Sequence, residues 1–117
     1  MPLEYKENKS LNDFAEEVTE VATDHGWWEN PPSIPEIIAL CHAELSEALE
    51  EYRKGKGAGE IYIDEKGAAQ GIPIELADVM LRILDFCGHE KIDIEGAILR
   101  KHEYNKKRPY KHGGKVI

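Results

Sequence analysis

Four acidic residues fall into two pairs, each spaced three apart: Glu44 and Glu47 in AELSEALEE, Glu75 and Asp78 in IELADVML. On a helix that spacing puts both carboxylates of a pair on one face, about one turn apart. The second pair lies in a segment that is otherwise apolar. Residues 72–88 read IPIELADVMLRILDFCG, and their charged positions are Glu75, Asp78, Arg82 and Asp85. These draw one polar stripe on a helix that is hydrophobic on its other sides, the pattern of a buried element. Buried carboxylates are costly unless something positive faces them. Four oxygen donors on two helices suit a hard divalent cation, Mg²⁺, with Mn²⁺ as a substitute. Two blander readings stay open: the Glu44/Glu47 pair as a solvated face, and Arg82 paired with Asp78 or Asp85 in an ion-pair network.

A second constellation lies near the C-terminus. Lys101, Asn105 and Arg108, at spacings of four and three, share a helical face that suits phosphate oxygens. An ordinary solvated cationic end, favoured by the helix dipole, would look the same. Lys111 and Lys115 follow in the tail, as further phosphate contacts or as an ordinary solvated end, and Trp27-Trp28 reads equally as one core ring with one loop lid or as a face on which a base could stack.

The elements that must position these groups are helical. The first helix is predicted over about Leu11–Asp24, capped by Ser10 and ended by His25-Gly26. A connector stiffened by Pro31-Pro32 leads to a second helix with Ser33 as cap and Pro35 and Glu36 in its first turn. Its apolar stripe of Ile34, Ile37, Ile38, Cys41, Leu45, Ala48, Leu49 and Tyr52 is expected to face the core. Residues 53–71 form a long connector with five glycines, whose centre GEIYIDEKG suits a mobile flap or a small hairpin. The third helix starts at Pro73 and ends at Gly88; the fourth follows the cap Asp93 and stops at Pro109. The fold class is therefore all-α: a single domain over 1–117, a four-helix bundle with a basic tail over 109–117. The third helix is apolar on more sides than a four-helix monomer covers, which predicts completion by oligomerisation.

Composition narrows the function classes. At 117 residues, 41% apolar and 32% charged, the chain reads as one soluble globular domain. It lacks an apolar run of the ~20 residues needed to cross a bilayer, and MPLEYKENKS carries no secretion-signal core. With Cys41 and Cys87 read as reduced core residues, a cytoplasmic location is expected, with no membrane partner. The net charge of −8 is uneven. The last eighteen residues hold seven bases and one acid; the preceding 99 hold eight bases and twenty-two acids. So acidic a body disfavours a stable nucleic-acid partner and favours a small anionic ligand.

In order along the chain, ExxE at Glu44 and Glu47, ExxD at Glu75 and Asp78, and Lys101-x-x-x-Asn105-x-x-Arg108 before RPYKHGGK resemble the MazG-like, all-α nucleoside triphosphate pyrophosphatases. The resemblance covers about Phe14 to Lys115. It implies Mg²⁺-dependent cleavage of a (d)NTP between its α- and β-phosphates, to a monophosphate and pyrophosphate, in house-cleaning of the nucleotide pool. It also implies Glu44, Glu47, Glu75 and Asp78 as metal-binding and catalytic residues. Lys101, Asn105, Arg108, Trp28 and Lys111 would be the substrate contacts, in a dimer or tetramer. Some members carry a further Glu just before the first motif carboxylate; here that position is Ala43, leaving Glu47, Glu51 or the metal to activate water. Phosphoribosyl-ATP pyrophosphatase, of the same superfamily, and a catalytically silent helical interaction module are the alternatives.

Overall fold

The computed structural model describes residues 9–109. Four helices carry the fold: α1 (Leu11–Asp24), α2 (Ile34–Arg53), α3 (Ile72–Glu90) and α4 (Ile94–Lys106), with a two-stranded antiparallel hairpin, β1 (Tyr62–Ile63) and β2 (Ala69–Gln70), between α2 and α3. The predominantly helical class is as expected. The start signals act as the sequence predicts. Ser10 and Ser33 each close a reciprocal capping box, with Asp13 and Glu36, and the Asp93 carboxylate caps α4 through the Gly96 N–H.

α3 is the central element, packed against α1 on one side and α2 on the other, while α4 leans on α1. Gly88 does not end α3, which continues to Glu90 and closes with Lys91 in the left-handed conformation, φ 59°. The glycine serves packing instead, because a Cβ there would run into the Ala15 carbonyl of α1. α4 is held at its start: Glu95 accepts the Leu11 N–H at 2.9 Å, and Asn12 donates to Asp93 at 2.8 Å.

The connector after α2 forms the hairpin and is fastened at both ends. Asp64 builds the turn by accepting the N–H groups of Lys66 and Ala68, both at 2.9 Å. The Tyr62 hydroxyl donates to buried Glu51 of α2, at 2.8 Å to Oε2. Gly71, at φ 126°, lets the backbone pass so close to Glu60 that a Cβ would meet the Glu60 carbonyl.

The core is thin. Ala15, Ile37, Ala48, Leu84 and Cys87 are its buried apolar residues among those described. The stripe of α2 expected to face the core divides: Ile37 and Ala48 are buried, but Ile34, Ile38, Leu45, Leu49 and Tyr52 are all more than half exposed. One neighbouring helix covers one edge of so wide a stripe, and among the described helices α3 is the one packed along α2. Cys41 and Cys87 are free thiols, and no described helix is long and apolar enough to cross a membrane.

Candidate functional site

Both carboxylate pairs lie where α2 and α3 face each other. Glu44, Glu75 and Asp78 each place a carboxylate oxygen within 4.8 Å of the other two. Glu75 sits in the first turn of α3 and is 6% exposed. Burial pushes its carboxyl up to about 7, reinforced by a hydrogen bond shared with Glu47 and by the charges of Glu47, Asp78 and Glu44. Asp78 is also raised, first by burial and then by Glu44 and Glu47, against the opposing pull of Arg82. Glu47 thus belongs to the same cluster, although it stands outside the tight trio.

Arg82 supplies positive charge on this face. Its Nη2 donates to Glu44 Oε1 at 2.8 Å, so the guanidinium pairs with Glu44 rather than with Asp78 or Asp85. Asp85 has other partners: its Oδ1 accepts the Thr19 hydroxyl at 2.6 Å and the Trp28 indole N–H at 2.9 Å, tying α3 to α1 and to the connector. Among the described residues, two buried side-chain polar atoms have no hydrogen-bond partner, and both are here: Glu75 Oε2 and Arg82 Nε. Unpartnered buried polar atoms are rare and costly, so two in one cluster set this place apart from the rest of the described residues.

Beside the cluster an open cleft of about 1030 Å³ runs between the end of α1, the connector, α2 and α3. Val18, Val21 and Ala22 form one wall, Trp27 and Asn30 the rim, and Glu44, Asp78, Arg82 and Asp85 the polar floor. The Arg82 guanidinium carbon lies 5.4 Å from the centre of the Trp27 ring. Trp28, expected as the base contact, is engaged elsewhere. Its ring stacks on His89, centroids 3.6 Å apart and planes 7° apart, and its N–H is held by Asp85. The tryptophan facing the cleft is Trp27. The WW dipeptide pointed to the region; which ring turns outward depends on Asp85 and His89, fifty-seven and more residues away.

The cationic face of α4 does not join this site within one chain. Lys101, Asn105 and Arg108 are exposed or half-buried and none lines the cleft. Lys101 and Arg108 both lie near the Tyr104 ring, at 4.7 and 5.9 Å. α4 is anchored at the N-terminal end of α1, whereas the cleft opens at that helix's C-terminal end. The helix stops at Lys106, leaving Arg108 in the turn beyond it. Lys111 and Lys115, with the basic tail past Pro109, lie outside the described residues. Glu51, one of the groups considered for water activation, is occupied by Tyr62 and flanked by Lys54 at 3.9 Å.

The donor set fits a hard divalent cation. All its atoms are carboxylate oxygens from two adjacent helices, and the buried one with no donor, Glu75 Oε2, is of the kind a metal would satisfy. No family model, curated protein or solved structure matches this chain.

Proposed function

We propose that this protein is a Mg²⁺-dependent nucleoside triphosphate pyrophosphohydrolase of the MazG-like kind, cleaving (d)NTPs to a monophosphate and pyrophosphate in the cytoplasm. The observation that carries the proposal is the trio Glu44, Glu75 and Asp78, with a desolvated and donorless Glu75 oxygen beside an open cleft. Glu44, Glu75 and Asp78 would hold the cation, and Mn²⁺ would substitute. The bound cation would polarise phosphoryl oxygens and acidify a water molecule. Glu47, hydrogen-bonded with Glu75 and outside the trio, would take the proton from attacking water. The water oxygen adds to the α-phosphorus, the bond to the bridging oxygen breaks, and pyrophosphate leaves with that electron pair. The Trp27 ring gives a base a face to stack on, worth ~1–3 kcal/mol and tolerant of base identity.

The proposal includes a homodimer or homotetramer. Ile38, Leu45 and Leu49 on α2 and Met80 on α3 are more than half exposed, more apolar helix surface than a monomer ordinarily leaves in water. Lys101, Asn105 and Arg108 would then meet phosphates in the site of a neighbouring copy. The Arg82–Glu44 pair favours a second reading, a catalytically silent helical module held by salt bridges.

One assay separates the two. A panel of NTPs and dNTPs is incubated with the protein, with and without Mg²⁺, and pyrophosphate is measured. Release from at least one nucleotide only with Mg²⁺ is expected; silence across the panel favours the interaction module.

A further inference from the structure

Arg82 is placed in a contradiction. Its Nη2 is bound to Glu44, one of the three carboxylates best arranged for a cation, while its buried Nε has no acceptor. A guanidinium and a divalent cation on one carboxylate repel each other, so the pair and the cation compete for Glu44. The two unpartnered atoms of the site also have opposite character. Glu75 Oε2 needs a cation or a donor, and Arg82 Nε needs an acceptor. A cation alone answers the first and worsens the second. A cation carrying its own oxyanion answers both. Of the residues lining the cleft, Arg82 is the only Arg or Lys among those described, and the Trp27 ring gives its guanidinium a surface to lie on.

We propose that Arg82 is an exchanging residue: it holds Glu44 in the cation's place when the site is empty, then turns to an oxyanion of the incoming metal-bound polyphosphate when the cation takes Glu44. The inference deepens the pyrophosphohydrolase proposal and rests on it. It assigns the phosphate contact within one chain to Arg82 on α3, a residue not among the expected substrate contacts. Metal and polyphosphate then bind with positive coupling, because each removes what opposes the other.

The test is calorimetric titration of the full chain with Mn²⁺ alone, then with inorganic tripolyphosphate at saturating Mn²⁺. Arg82→Gln removes the competing charge, and Arg82→Lys keeps a charge without the Nε and the planar fork. Arg82→Gln should bind Mn²⁺ about 3- to 10-fold more tightly than the wild type, with Arg82→Lys close to wild type. Tripolyphosphate should bind about 10-fold or more weakly to Arg82→Gln and detectably more weakly to Arg82→Lys. If Arg82→Gln fails to fold by circular dichroism, Arg82→Lys decides alone, with unchanged Mn²⁺ affinity and weakened tripolyphosphate binding. Unchanged tripolyphosphate affinity in the folded variants, or Mn²⁺ affinity not raised in Arg82→Gln, would reduce Arg82 to a pin between α2 and α3. A wild-type chain that binds no Mn²⁺ overturns the metal site and the pyrophosphohydrolase proposal together, an outcome distinct from either result for the variants.

Discussion

The α2–α3 carboxylate cluster and the cationic face of α4 have the same kind of sequence signal, polar residues three or four apart on a helix. The fold treats them differently. Glu75 is driven into the contact between two helices, where burial and like charges push its carboxyl to about 7. Lys101 and Arg108 stay at the surface and lie near Tyr104 of their own helix. Spacing selects a face; burial decides whether that face is held away from water, where charge interactions are strong. By that criterion the carboxylate cluster has the strained electrostatics of a functional site and the α4 face, in one chain, does not.

The comparison breaks first on activity. Asp78→Asn and Glu75→Gln should each lower Mg²⁺-dependent pyrophosphate release by a factor on the order of 10³, equivalent to ~4 kcal/mol of transition-state stabilisation. Lys101→Ala should cost less than about 10-fold in the same assay if α4 contributes only from a neighbouring copy. Equal losses would put α4 in the site on the same footing as the carboxylates.

A second effect separates the stripe's own members. Asp85 shares α3 with Glu75 and Asp78, but its carboxylate is satisfied by Thr19 and Trp28. Asp85→Ala leaves the Trp28 N–H without that acceptor, while the Thr19 hydroxyl keeps the Asp85 backbone carbonyl, and should cost ~1–3 kcal/mol of stability by urea denaturation. Glu75→Gln should be neutral or stabilising in the absence of metal, because it removes a like charge from a crowded cluster. Stability losses of equal size in the two variants would erase the distinction.

The pH dependence is smaller and has a definite sign. Glu75 holds its proton more tightly folded than unfolded, with a folded value of about 7 against an ordinary 4.5. Between those values the folded state binds more protons, so the metal-free chain loses this contribution as pH rises from about 4.5 to about 7. The change is on the order of 1–3 kcal/mol, read by denaturant melts at pH 5 and pH 8 and corrected with Glu75→Gln as reference. Stability that instead climbs over this interval in the wild type relative to the variant would contradict the crowding of the cluster. Cation binding competes with the same proton, so metal affinity should rise across that range.

The smallest effect concerns α2's outer edge. Leu49→Lys should change monomer stability by less than ~1 kcal/mol, since Leu49 is 57% exposed, yet shift the sedimentation profile toward the monomer. A profile that is monomeric already in the wild type would remove oligomerisation from the account.

What the sequence made legible was local. Ser10, Ser33 and Asp93 cap the helices they precede, and the two carboxylate pairs share the faces their spacing implies, because caps and periodicity act over one or two turns. Long-range choices were not legible. Trp27 and Trp28 are adjacent, and only the positions of Asp85 and His89 decide which one is held. Arg82 had three acidic neighbours on its own helix, but its partner is Glu44, 38 residues earlier. Glu51 is a candidate for water activation by sequence, but the hairpin brings Tyr62 onto it. The wide stripe of α2 announced burial without saying that this chain alone covers only one edge of it.

The central claim is that the carboxylate cluster around buried Glu75, with half-buried Glu44 and exposed Asp78, is a divalent-cation site and that the α4 face is not. Calorimetric melting with and without 10 mM Mg²⁺, a concentration well above the Kd of a usable site, tests it most directly. A ligand present at ~100 times its Kd stabilises by ~2.7 kcal/mol, several degrees for a domain this small. The melting temperature of the wild type and of Lys101→Ala should rise by that amount, and those of Glu75→Gln and Asp78→Asn should not move. A rise of the same size in Glu75→Gln, or none in the wild type, would contradict the account.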